Sequence, residues 1–139
     1  MKTEHLHELW AGPDNSRLTT KQFSFRLPVH IAAKIAALCD MYPSKNRTQI
    51  VADLLTSALD ELEKHLPQAI GERVMPSEDD REEFGIEPQE PVYCLGGPRG
   101  QFRDLANHYY REYETELGNP YTAPLFPEIL GRREFFTKK

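Results

Sequence analysis

Gln22, Ser24 and Arg26 are the side chains of this sequence whose type and spacing suit recognition chemistry best. They stand two residues apart in Lys21-Gln22-Phe23-Ser24-Phe25-Arg26-Leu27-Pro28. A glutamine amide can span N6 and N7 of adenine, and an arginine guanidinium presents two parallel N–H donors to O6 and N7 of guanine. A short hydroxyl adapts to several bases. Each good bidentate pair discriminates against the wrong base by about 1–3 kcal/mol. Alternation with period two puts these three groups on one side of an extended segment and Phe23, Phe25 and Leu27 on the other. That is the pattern of a strand wet on one face and buried on the other. A single short strand is not stable alone. It needs a partner, and the nearest candidate is the same strand of a second copy.

A second group of residues suits phosphate. Asn46 is a good N-cap, and Gln49 three residues on completes a capping box. The unpaired amides of any helix start attract anions, and Lys45 and Arg47 add positive charge beside this one. Lys21, with Arg17, Thr19 and Thr20, can form an arm along a nucleic-acid backbone.

Other constellations are less specific. His5 and His7 lack a third ligand nearby, so no metal is expected. Gly96-Gly97-Pro98-Arg99-Gly100 fits neither a P-loop nor a dinucleotide fingerprint and reads as a break in the chain. No nucleophile–base set or carboxylate pair stands out, so neither an enzyme nor a cofactor is expected.

The elements that must position these groups follow from periodicity. Residues 3–10 read as a short amphipathic helix with Leu6, Leu9 and Trp10 on one side, and Gly12-Pro13-Asp14-Asn15 as a turn. After Pro28 a helix is expected over about 29–41, with Ile31, Ile35, Leu38 and Tyr42 at helical spacing. Pro43 ends it, because the residue before proline is pushed out of helical geometry. A second helix runs from Asn46 to about His65-Leu66-Pro67, with an apolar stripe of Ile50, Val51, Leu54, Leu55, Leu59 and Leu62. That stripe is too wide for a surface helix and calls for a neighbour that a second copy would supply. Beyond it, Ala69–Met75 and Pro91–Leu95 read as two short strands, and Ser77–Glu83 as an acidic solvated loop. A third helix is expected over about 101–117, stopped by Gly118-Asn119-Pro120. The stretch 119–139 is rich in proline and aromatics, too apolar for a plain tail.

The chain has 139 residues and a net charge of −5. The charge is uneven. Residues 18–66 carry six basic and five acidic side chains, and residues 67–139 nine basic and fourteen acidic. The field at a groove depends on the local patch, so the acidic total does not exclude nucleic acid. No apolar run reaches membrane-spanning length and no signal peptide is visible, so a cytoplasmic protein away from membranes is expected. Cys39 and Cys94 are the two cysteines, and Cys39, inside a helical pattern, is expected as a buried free thiol.

Strand, helix, turn with capping residue, long helix: over residues 19–66 this order resembles the ribbon–helix–helix family of bacterial DNA-binding proteins, of the Arc and MetJ type. The residues that carry the likeness are Gln22 to Pro28, the Ile31/Ile35/Leu38 stripe and Asn46-Arg47-Thr48-Gln49-Ile50. The inter-helix turn, Pro43-Ser44-Lys45, lacks the glycine often found there. The resemblance implies a mainly α fold with one short N-terminal strand, two copies of which pair antiparallel into a ribbon that enters the major groove. It implies base contacts by Gln22, Ser24 and Arg26, and a phosphate clamp at Asn46, Arg47 and Thr48, with Lys21 and Lys45 beside it. The resulting expectation has three parts: an N-terminal arm over 1–18, a dimerising DNA-binding domain over 19–66, and an acidic extension over 67–139 with one further helix. The function expected is sequence-specific binding of double-stranded DNA by a homodimer, as a transcriptional repressor. The alternative is an antitoxin-like or adaptor module whose residues 101–139 bind a partner protein.

Overall fold

The computed structural model describes residues 2–11, 18, 21–75, 78–85 and 91–137. They form a mixed α/β structure in two compact units, 1–64 and 65–139. The expectation of a mainly α chain with a single N-terminal strand is therefore corrected. The sheet is built from other residues, and the described helices outnumber those expected.

The N-terminal unit is helical. A 3-10 turn over Thr3–His5 runs into α1 (Leu6–Ala11), and α2 (Val29–Met41) and α3 (Arg47–His65) follow. The bounds of α2 and the cap of α3 match the sequence pattern. Asn46 and Gln49 exchange hydrogen bonds reciprocally: the Gln49 amide donates to Asn46 Oδ1 at 2.8 Å, and the Asn46 amide to Gln49 Oε1 at 2.9 Å. Two of the donors at a helix start are thereby satisfied.

Residues 3–11 are more than an arm. Leu6, Trp10 and Ile50 are buried together, with Leu38, Cys39, Tyr42 and Leu54 packed against them. The Trp10 indole N–H donates to Asp53 Oδ2 at 2.7 Å and its ring meets Tyr42 edge-on at 5.2 Å. His7 Nδ1 shares a hydrogen bond with the Tyr42 hydroxyl, and Thr3 Oγ1 one with Ser57 Oγ. Asp53 lies between Ile50 and Leu54 on the apolar stripe, a polar group that burial obliges to find a donor. The tryptophan of α1 is that donor.

Residues 21–28 belong to no strand. They have no regular secondary structure, and every residue is exposed. The Phe23 and Phe25 rings stack nearly parallel, 6° apart in plane and 6.3 Å between centroids. The stack places both rings on the same side of the segment. The alternation read from sequence leads to no buried face, since Phe23, Phe25 and Leu27 are as exposed as the polar residues between them. Nor is there a ladder: among the described residues no strand pairs with this segment.

The C-terminal unit holds a three-stranded antiparallel sheet, β1 (Ala69–Val74), β2 (Val92–Gly96) and β3 (Leu130–Gly131), in that order. Ala69 pairs with Gly96 and Val74 with Val92, and a bulge interrupts the register between Ile70 and Arg73. Gly71 sits in the bulge, where a Cβ would lie 2.6 Å from the Cys94 carbonyl oxygen. The acidic run expected as a loop is helical, α4 (Glu78–Phe84). The third helix, α5 (Gly97–Glu116), starts earlier than its apolar spacing indicates, within the glycine-rich stretch itself. Gly97 takes a left-handed φ of 73°, Pro98 enters the first turn, and the Arg99 amide donates to the Pro67 carbonyl at 2.9 Å. What reads as a break is a tight strand-to-helix corner. α5 ends at Gly118, also left-handed at φ 87°.

The aromatic tail folds back on its own unit. Phe126 is held at both backbone polar groups by one side chain: its amide donates to Asn107 Oδ1 at 2.7 Å, and its carbonyl accepts from Asn107 Nδ2 at 3.0 Å. Arg103 lies 4.6 Å over the Phe126 ring and donates to the Pro127 carbonyl at 3.0 Å. α6 (Arg133–Thr137) follows β3 and buries Phe136. Both α5 and α6 pack on β1 and β2, around a fully buried Val92. No described helix is long and apolar enough to cross a membrane.

Candidate nucleic-acid interface

The proposed base-reading residues lie on the segment 21–28 and are all at the surface: Gln22, Ser24 and Arg26 are each exposed. Phe23 and Phe25 stack on one another, and the three polar side chains alternate with them along the segment. Lys21 is exposed at the start of the run and is engaged within the chain. Pro28 then leads directly into α2, where the Ile31 and Ala32 amides donate to the Pro28 carbonyl at 3.1 and 3.0 Å. The proline ends the run and serves as the N-cap residue of the helix in one position.

The proposed phosphate group divides. Arg47 and Thr48 are exposed in the first turn of α3. Asn46 is exposed, but its side-chain oxygen is taken by the Gln49 amide. The donors a phosphate would meet are then the amides of Arg47 and Thr48, helped by the Arg47 charge. Lys45 departs from the expected arrangement. It is 9% exposed and engaged within the chain, in a turn whose Lys45 amide donates to the Tyr42 carbonyl at 3.0 Å. The turn that joins the helices without a glycine turns this lysine inward, and Arg47 is the cation left at the surface of the helix start. Arg17, Thr19 and Thr20, assigned to an arm, lie outside the described residues, as does the turn at Gly12-Pro13-Asp14-Asn15.

The large apolar groups of this unit are notably wet. Phe23 is 64% exposed, Phe25 75% and Val29 85%, while Leu27, Leu55, Leu59 and Leu62 are near half. Ile50 of the same α3 stripe is fully buried, because α1 covers its side of the helix. The stripe is therefore split: one flank closed by residues 3–11, the other bare. Sequence reasoning gave the width of the stripe but not the division. The Leu6 and Trp10 spacing and the polar Asp53 inside the stripe are the signals that could have located the covered flank.

Cys94 of β2 is a free thiol whose ionisation is disfavoured. Burial, then the hydrogen bond to Glu128 Oε1 at 3.6 Å, then the negative charges of Glu128, Glu72 and Asp104 hold its pKa above the ordinary thiol value. A thiol kept protonated is a poor nucleophile. Among the described residues no group of three or more His, Cys, Asp or Glu side chains is placed to hold a metal ion.

No family model matches the chain, no curated protein matches it, and no solved structure matches its fold.

Proposed function

We propose that this protein binds double-stranded DNA in a sequence-specific manner as a homodimer and regulates transcription. The observation that carries the reading is the segment 21–28. It is wholly exposed, carries Phe23 and Phe25 stacked on one another, and alternates them in sequence with Gln22, Ser24 and Arg26. Three large apolar side chains left in water on an eight-residue segment call for cover, and contiguous apolar exposure of this kind marks an interaction surface. In this reading a second copy covers Phe23, Phe25 and Leu27. A two-fold arrangement presents two sets of polar side chains to the major groove and predicts an inverted-repeat site. Arg26 reads guanine, Gln22 adenine, and Ser24 adapts. Lys21 and the start of α3 at Asn46, Arg47 and Thr48 take phosphates. Lys45, being buried, is left out.

Selection of bound genomic fragments followed by mobility shift tests this. Arg26→Ala is expected to remove preference at one base pair, about 1–3 kcal/mol of discrimination. Arg47→Ala is expected to weaken all sequences alike and to lower the salt slope by about one. If neither variant departs from wild type, base reading through this segment is wrong.

A second reading, an antitoxin-like or adaptor module that binds a partner protein through 101–139, is favoured by the exposure of Leu105, Tyr109, Tyr121 and Leu125. Phe126 and Phe136, by contrast, are used inside the unit, which narrows the surface available. Co-purification of a stoichiometric partner with the full chain, lost in Leu105→Asp/Tyr109→Asp, would favour this reading over the first.

A further inference from the structure

We propose that the C-terminal unit binds a small organic cation, an ammonium or amidinium group on an apolar body, in the cleft between β2, α5 and the strap 124–129. The cleft is an open groove of about 710 Å³, within the roughly 300–1,000 Å³ typical of small-molecule sites. Its apolar walls are Leu95, Leu105, Phe126 and Ile129. Glycines form part of the lining, at Gly71, Gly96 and Gly100, so backbone rather than side chains limits its depth there. A Cβ on any of these three would lie within 3 Å of neighbouring backbone, so the glycines are fixed by packing.

The charged lining selects the ligand's sign. Glu72, Asp104 and Glu128 face the cleft against one cation, Arg103. Arg103 is turned to the strap, over the Phe126 ring and onto the Pro127 carbonyl. Three carboxylates, all solvent-exposed, against one guanidinium leave an excess of negative charge beside an apolar cavity, a field that water screens in part but that still favours a cation over an anion. The three carboxylates surround Cys94 closely enough for all of them to oppose its ionisation. They do not converge as a metal-ligating set. Carboxylates lining an apolar hollow suit a diffuse cation with a hydrophobic body, which uses both kinds of wall at once. The proposal is independent of DNA binding, since every residue it uses lies in 71–129.

The test titrates benzamidinium chloride into the full chain, with phenylpropionate as a probe of similar size and opposite charge. Benzamidinium is expected to shift the backbone resonances of Gly96, Gly97 and Gly100 and to slow alkylation of Cys94 several-fold in a Cys39→Ser background. Phenylpropionate is expected to do neither. Asp104→Asn/Glu128→Gln should raise the benzamidinium Kd about tenfold or more, a loss of about 1.4 kcal/mol per decade. Leu105→Trp, which narrows the cleft at a half-exposed position without changing charge, should abolish the response. Four results would overturn the proposal: no response at millimolar benzamidinium, an equal response to phenylpropionate, shifts confined to residues outside the cleft, or an affinity unchanged in both variants.

Discussion

The two units cover their apolar surface by different means. In the C-terminal unit the chain closes on itself through backbone contact. Gly71 and Gly96 let β1 and β2 approach at a bulge, Gly100 lets α5 lie against Leu95, and a single asparagine pins the strap by its backbone. In the N-terminal unit closure is by side chains and is half complete. α1 lays Leu6 and Trp10 over Ile50, while Phe23, Phe25 and Val29 remain in water. The C-terminal unit also leaves side chains in water: Tyr109 and Tyr121 carry hydroxyls that water can satisfy, whereas Phe135 and Met75 do not. The phenylalanines and valine of the N-terminal unit have no such tip. A unit closed by backbone contact tolerates few substitutions at its glycines. A unit closed by side chains can take part of its cover from another molecule.

Four substitutions bear on that contrast. The largest effect is expected from Phe25→Asp. It removes two phenyl groups from each proposed dimer, at about 1.5–3 kcal/mol apiece. Sedimentation should show a shift towards monomer; a monomeric wild type, or an unmoved dimer, would erase the difference between the units. Next comes Trp10→Ala, expected to cost about 3–5 kcal/mol in urea unfolding, as buried tryptophans do. Hydrogen exchange should show lost protection in α2 and α3 with β1 and β2 amides unchanged. If both lose protection, the units unfold as one block. Gly100→Ala should destabilise by about 1–3 kcal/mol, because its Cβ would fall 2.2 Å from the Leu95 carbonyl oxygen. Here the exchange pattern should be reversed, with β2 and α5 affected. The smallest effect is expected from Asn46→Ala, about 1 kcal/mol for a lost cap, read as fraying of the first turn of α3 by amide exchange.

Much of this was legible in the sequence where local signals act alone. The limits of α2, the reciprocal Asn46/Gln49 cap, the two strands at 69–74 and 92–96, and the stop at Gly118 all rest on short-range chemistry. The misreadings have two causes: some elements depend on contacts distant in sequence, and others on local geometry that leaves no apolar period. The alternation of 21–28 states that one side is to be buried but not what supplies the hydrogen bonds. Gly97 and Gly100 look like punctuation until β2 and Pro67 are brought beside them. The run Glu78 to Glu83 has no apolar period to announce α4. Lys45 next to Arg47 looks like added surface charge until the turn carries it inward. Of the candidate site, Gln22, Ser24, Arg26, Arg47 and Thr48 are found at the surface as their types suggest. The cleft beside Cys94 had no signature, because its walls come from three separated stretches.

Trp10 is the sole indole of the chain and lies 4% exposed between Tyr42 and Asp53. A helix as short as α1 does not persist in water without its docking face. Its emission spectrum is therefore an intrinsic optical gauge of one event, the seating of residues 3–11. A red shift on adding nucleic acid or a protein ligand would report that this segment has left its place, without any attached dye.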